Sequence, residues 1–371
     1  VVRYRIDGIL KDVMTLPREV HEGVVARVKV LANLKLDEHR LPQDGRFKIE
    51  SDGYKVSFRV SILPVYDGEK IVTRLLREDA EGFTLESLGY RGNALEVLHR
   101  AIKKPTGLVL ATGPTGSGKT TTLYTILDIL NTPEVNISTI EDPIEYRMPR
   151  INQTQVKPDI GLTFANGLRT LVRQDPDIIM VGEIRDNETA GLAINASLTG
   201  HLVVSSLHTN DAVGAIPRLM DMKIEPFLIS STLSVVIAQR LVRCLCPESR
   251  EKYNLTKKEL ESLSKEINLD KVLKILRQEK IISAKDTWET IEFYRPKESD
   301  KCPKGYKGRM GIFEVLDVTT EIKDLINSSA SSEQLREKVE STGMITMLED
   351  GFMKAVQGLT SIEEVLRASR E

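Results

Sequence analysis

Eight consecutive residues, Gly113-Pro114-Thr115-Gly116-Ser117-Gly118-Lys119-Thr120, constrain this chain more than any others. They separate GLVLAT, an apolar run of strand character, from KTTTLYTILDIL, a run of helical character. Gly-x4-Gly-Lys-Thr between a strand and a helix is the phosphate-loop pattern. Its glycines let backbone N–H groups close on phosphate oxygens that a Cβ would obstruct. Lys119 supplies a point charge for the β- and γ-phosphates, and the Thr120 hydroxyl is placed to ligate Mg²⁺. Gly113, Pro114, Thr115, Gly116, Ser117, Gly118, Lys119, Thr120 and Thr121 are therefore the candidate nucleotide-binding residues.

Around the loop, the segments VNISTI, DIIMVGE and HLVVSSL read as short, nearly all-apolar strands. Such strands belong to a parallel sheet covered on both faces, so the fold class is α/β. Upstream, residues 1–93 alternate short β-type runs (RYRI, FKIE, YKVSFRVSIL, KIVTRLL) with Gly, Asp and Pro turns, interrupted by one helix over roughly Arg18–Leu34. That texture predicts a smaller N-terminal α+β domain, with the phosphate-loop domain over 94–371. Residues 247–301 turn Lys/Glu-rich and read as a helical insert in the C-terminal part. There Thr256-x-x-Glu259 is a capping-box signal, and Leu260, Leu263 and Ile267 share a helical face.

Charge narrows the function classes. Net charge is −2, with 52 basic and 54 acidic side chains and no dense basic block, so no nucleic acid is expected as partner. A nucleic-acid translocase on the same core is the alternative from another class. No apolar run approaches the ~18–20 residues of a membrane span, so any membrane connection must pass through a partner. The opening VVRYRIDGIL lacks a signal-peptide core and reads as a strand entered mid-domain, which predicts missing upstream material. The chain has three cysteines, Cys244, Cys246 and Cys302. Three thiolates fall short of the four ligands of structural zinc. They are expected to be small buried or surface thiols in a reducing cytoplasm, without a disulfide framework.

Acids mark the other half of a phosphoryl-transfer site. Glu183 ends the strand DIIMVG, 64 residues after Lys119, at the strand tip where ligands of such sheets bind. It is a candidate to hold Mg²⁺ or to orient the attacking water. Glu141 and Glu145, in the cluster EDPIE after ISTI, are candidates to polarise water, with Pro143 barring a helix. His201 and His208 bracket LVVSS at an odd spacing, which puts them on opposite faces and argues against a shared metal. A γ-phosphate sensor or a hinge bond fits them better. Arginines recur at Arg46, Arg59, Arg74, Arg169 and Arg173, and charge on a transferred phosphoryl group favours an arginine finger. Composition alone does not choose among them.

The blocks GPTGSGKT, TIEDPIEY, RQDPDIIMVGEIRD and TGHLVVSSLHTND, in this order, resemble the hexameric ATPases of the secretion superfamily. Those proteins power type II secretion and type IV pilus assembly or retraction, and name the blocks Walker A, Asp box, Walker B and His box. The resemblance covers essentially the whole chain. YRIDG, LPQDGR and SFRVS resemble the family's second N-terminal domain, entered partway, without the upstream modules that contact an inner-membrane platform and its adaptor. The resemblance implies a RecA-like ATPase domain, ATP and Mg²⁺, a homohexamer, and a cytoplasmic location peripheral to the inner membrane. It implies catalytic arginines at Arg46 and Arg59. It further implies nucleotide-site arginines at Arg169, Arg173, Arg185 and Arg309, with His208 and His201 in the His box. Retraction-type members lack the long insert, so 247–301 and the tail GMITMLEDGFMKAVQGLTSIEEVLR place the resemblance on the assembly and export side. One departure is clear: relatives often carry two CxxC zinc pairs, of which only Cys246 and Cys302 remain here.

Overall fold

The computed structural model describes residues 1–51, 54–77 and 83–370, and its contacts divide the chain into two units, Val1–Gly82 with Ile144–Met148, and Phe83–Pro143 with Pro149–Glu371.

In the first unit, β1 (Val2–Ile6) and β2 (Ile9–Met14) form an antiparallel hairpin, followed by helix α1 (His21–Leu31). Strands β3 (Gln43–Ser51), β4 (Tyr54–Val65) and β5 (Gly68–Arg77) make an antiparallel sheet with β4 in the centre. Alternation gives that sheet two chemistries. One face carries Val60, Ile62, Phe47 and Ile71, which pack with Val28 and Ala32 at the end of α1. The other face carries Arg46, Arg59 and Arg74, which the register sets directly opposite one another across all three strands. Lys29 of α1 is fully buried and bonds Glu69 at 2.8 and 2.9 Å, so its charge is compensated where it lies.

The second unit opens with α2 (Leu85–Leu88) and α3 (Gly92–Ile102) and continues β6 (Gly107–Thr112), α4 (Lys119–Leu130), β7 (Ile137–Glu141) and β8 (Ile151–Gln155). Then come α5 (Phe164–Leu171), β9 (Ile178–Val181), α6 (Asn187–Leu198), β10 (Leu202–Leu207), α7 (Ala215–Asp221), α8 (Pro226–Thr232) and β11 (Leu233–Leu245). Beyond β11 lie β12 (Glu251–Asn254), α9 (Lys257–Leu263), α10 (Leu269–Gln278) and β13 (Glu292–Arg295), and the chain ends β14 (Tyr306–Asp317), α11 (Thr320–Asn327), α12 (Ser332–Ser341), α13 (Met347–Val356) and α14 (Ile362–Arg370).

Seven strands form one sheet in the order β14-β11-β6-β10-β9-β7-β8, parallel except for edge strand β14. The α/β expectation therefore holds. β6 and β10 are buried along their whole length, as sheets covered on both faces require. Ile140 faces Gly167 of α5, whereas its neighbour Glu141 bonds Tyr124 of α4, so α4 and α5 cover opposite faces. The largest core cluster fills the α5 side with Leu168, Ile194, Ile216, Ile229 and Ile322. Strand β11, 13 residues long, is not among the strands read from the sequence.

Between β11 and β14, the antiparallel pair β12–β13 and helices α9 and α10 share a core of Val272, Leu276 and Phe293 with Phe352 and Val365 of α13 and α14. The capping box at Thr256 and Glu259 starts α9, and Leu263 and Ile267 face this core. The expectation of unbridged thiols is corrected: Cys246 and Cys302 form a disulfide. The reason is topological. Leu245 of β11 lies opposite Tyr306 of β14, which brings together cysteines 56 residues apart in sequence.

Candidate active site

β6 delivers the chain to the C-terminal edge of the sheet, and α4 carries it away. Gly113–Gly118 make the intervening turn, with Gly113 at φ +142° and Gly118 at φ +92°, regions that disfavour a Cβ. A Cβ at Gly113 would lie 2.6 Å from the Gln239 carbonyl oxygen and 2.7 Å from Ser117 Oγ, so the turn has no room for one. Gly118 stands at the N-terminus of the 12-residue α4, whose first N–H groups and dipole favour an anion. Pro114, Thr115, Gly116 and Ser117 complete the turn. Ser117 is buried, Thr120 is exposed on the first turn of α4, and Thr121 beside it is half-buried. Lys119 Nζ donates to the carbonyls of Gly113 (2.7 Å) and Pro114 (2.9 Å), so its charge lies folded over the loop. Burial lowers its pKa below the ordinary lysine value, partly opposed by attraction to Glu183 and reinforced by Arg240.

Glu183 stands two residues beyond β9, and its backbone is pinned on both sides. Gly182 N–H donates to Ile140 O (2.8 Å), Ser206 Oγ donates to Gly182 O (2.8 Å), and Ile184 N–H donates to Ser206 O (2.9 Å). Its carboxylate binds the Arg185 guanidinium on one oxygen and lies 3.4 Å from His208 Nε2 on the other. Arg185 also lies 3.8 Å from Asp142. His208 is brought there by the turn after β10, where Thr209 N–H donates to Thr112 Oγ1 at the tip of β6 (2.8 Å). The loop, Lys119, Glu183, Arg185 and His208 thus gather at one edge of the sheet, which brings cations and a carboxylate to the phosphate-loop end.

Within the second unit, other expected residues lie elsewhere. Glu141 is 2% exposed, and its carboxylate accepts bonds from Tyr124 Oη, Thr139 Oγ1 (2.6 Å) and Gln153 Nε2 (3.2 Å). In this arrangement its carboxylate is buried and bonded within the sheet rather than facing water. His201 precedes β10, and its Nδ1 lies 2.9 Å from Ala196 O. A six-residue strand, roughly 20 Å, separates it from the His208 end, which removes it from this chain's own loop. Arg169 pairs with Glu188, Arg173 is exposed beyond the far end of α5, and Arg309 lies opposite Arg243 in the β11–β14 ladder. None of the three contacts Glu183 or Lys119. In the first unit, Glu145 lies 3.6 Å from Arg74. Arg46 and Arg59 share their cross-strand row with Arg74, which the sequence reading did not select. The signal for Arg74 was present: a two-residue turn at Tyr66-Asp67 pairs residues whose numbers sum to 133, hence Arg59 with Arg74. Among the described residues no group of three or more His, Cys, Asp or Glu is gathered as a metal site.

A sheet of this order with a phosphate loop and a strand-tip acid defines a nucleotide-using α/β domain. Residues 1–367 match the type II/IV secretion system protein family, and the chain belongs to that family of ATPases. The type II secretion system ATPase E of Vibrio cholerae is 47% identical over 371 residues, all of this chain and 70% of that protein. The type IV pilus assembly ATPase PilB of Myxococcus xanthus is 43% identical over 367 residues, 98% of this chain and 62% of that protein. A crystal structure of the pilus retraction motor PilT with bound ADP superposes with a TM-score of 0.66 at 27% identity, covering all of this chain and 90% of that one. No helix among the described residues is long and apolar enough to cross a membrane.

Proposed function

We propose that this chain is a Mg²⁺-dependent ATP hydrolase that works in a homohexameric ring and powers type IV pilus assembly or type II secretion. The observation that carries the chemistry is the Glu183 carboxylate, whose flanking backbone Ser206 pins at the strand tip and whose oxygens meet Arg185 and His208 beside the phosphate loop. In this reading the amides of Gly113–Gly118 hold the phosphates and Lys119 neutralises the β- and γ-oxygens. Thr120 and Glu183 would hold Mg²⁺, which screens charge on the phosphates. Glu183 orients or deprotonates the attacking water, and His208 bonds Glu183 or senses the γ-phosphate.

The N-terminal domain, 1–93, supplies positive charge through Arg46 and Arg59, while 94–371 carries the site and 247–301 the insert. The register sets Arg46, Arg59 and Arg74 in one row on one sheet face, which gathers positive charge there and supports this role. Closure of that domain on ATP and release after hydrolysis would turn phosphate state into movement. The ring would act on an inner-membrane platform protein from the cytoplasmic side, as the named relatives' roles in secretion and pilus assembly suggest.

The test is phosphate release with and without Mg²⁺, alongside light scattering. Hydrolysis that needs Mg²⁺ and disappears in Lys119→Ala, from particles of six-fold mass, is the expected result. Hydrolysis unaffected by Lys119→Ala would overturn the site, and a monomer at every concentration with nucleotide would overturn the ring.

A further inference from the structure

We infer that Gln239 is a positioning residue for the phosphate loop, aiming the Gly118 amide at the nucleotide; this rests on the reading of the loop as the seat of the phosphates. Gln239 belongs to β11, where its neighbours are Thr112's strand on one side and Phe313 of β14 on the other. It is 2% exposed, yet it carries a polar amide. Both ends of that amide are used. Nε2–H donates to Ser117 O (2.8 Å), and Oε1 accepts from Thr122 Oγ1 (2.9 Å).

In a trans peptide the C=O of one residue and the N–H of the next lie in one plane and point in opposite directions. Holding Ser117 O toward β11 therefore turns the Gly118 N–H away from β11, toward the mouth of the loop. The loop presses directly on Gln239. An ideal Cβ at Gly118 would stand 3.0 Å from its Nε2, and one at Gly113 would stand 2.6 Å from its carbonyl oxygen.

The amide's own direction is set from further inside. Tyr90, fully buried and stacked on Phe313 with ring centroids 3.7 Å apart, places its hydroxyl 3.4 Å from Thr122 Oγ1. Thr122 spends its one hydroxyl proton on Gln239 Oε1, so in the Tyr90–Thr122 bond the Tyr90 hydroxyl is the donor. A flipped amide would set Oε1, an acceptor, against the Ser117 carbonyl oxygen, another acceptor. The chain Tyr90–Thr122–Gln239–Ser117 thus has one polarity and ends at the loop.

The test compares Gln239→Leu and Thr122→Val with the unaltered chain and with Lys119→Ala. Readouts are the Kd for mant-ADP, KM and kcat for ATP, and the melting temperature. One misaimed amide–phosphate bond should weaken mant-ADP binding on the order of 10- to 100-fold in Gln239→Leu. The amide meets phosphate before and during reaction alike, so KM should rise with kcat held within a few-fold. Thr122→Val should weaken binding less, and should add nothing in the Gln239→Leu background. A merely structural role would lower kcat through loss of active protein and leave KM in place. That outcome, or mant-ADP binding within two-fold of the unaltered chain, overturns the inference while Lys119→Ala still fails to bind. Equal binding by Lys119→Ala overturns the loop reading and this inference with it. Should Gln239→Leu fail to fold, Thr122→Val decides alone: unchanged KM and Kd overturn the inference, and a raised KM at unchanged melting temperature supports it.

Discussion

Glu364 offers a stability change that can be worked from the structure. The residue is 2% exposed in α14, where burial alone would raise its pKa. Hydrogen bonds outweigh that: Arg243 Nη2 donates at 2.6 Å, Arg243 N–H at 3.0 Å, and Arg367 Nε and Nη2 at 3.0 Å each. The carboxyl is held down to about 2 against an ordinary 4.5. A group with its pKa depressed on folding stabilises above the unfolded value and loses that stabilisation as pH falls through the folded value. Between pH 5 and pH 3 the loss from this one group comes to about 2 kcal/mol. The assay is urea unfolding followed by Trp288, the only tryptophan of the chain, which packs on the core that Ile362 and Val365 of α14 help to form. Measured as the difference between the unaltered chain and Glu364→Gln, the effects of other carboxylates cancel. A gap that shrinks by about 2 kcal/mol over that range is expected. Parallel curves would show that the arginines do not grip Glu364, and the docking of α14 on β11 would need another explanation.

Three further outcomes follow from the same packing. Tyr124→Phe removes a donor from the buried Glu141 carboxylate and should cost roughly 1–3 kcal/mol of stability, read in the same unfolding assay. Alkylation of the denatured chain without reductant should label one thiol, Cys244, and with reductant all three; equal labelling in both would remove the Cys246–Cys302 bond from the account. Arg59→Ala should leave mant-ATP affinity within a few-fold while lowering turnover, and lost binding with normal chemistry would contradict the finger role.

Local signals carried the phosphate loop, the parallel strands and Glu183, because each is a contiguous run whose chemistry does not depend on distant partners. Strand β11 was hidden because Gln239, Arg240 and Arg243 interrupt its apolar pattern. In sequence these look like surface residues, yet Gln239 is 2% and Arg240 7% exposed, the Gln239 amide being satisfied by Ser117 and Thr122, while Arg243 pairs with Glu364 of α14. The disulfide stayed hidden behind the same strand, since only the β11–β14 ladder brings Cys246 to Cys302. The burial of Glu141 was illegible for the opposite reason. A strand-tip acid looks solvated until Tyr124, Thr139 and Gln153 are seen to surround it. His201 and His208 were separable by spacing alone, but which end of β10 faces the loop required the sheet order.

The central claim is that Glu183 does chemistry beside the loop that holds the nucleotide. Single-turnover hydrolysis of ATP by Glu183→Gln, with mant-ATP affinity measured on the same preparation, tests it most directly. Affinity within a few-fold of the unaltered chain, with hydrolysis slowed on the order of 100-fold or more, is the predicted result. Hydrolysis at the unaltered rate would contradict it.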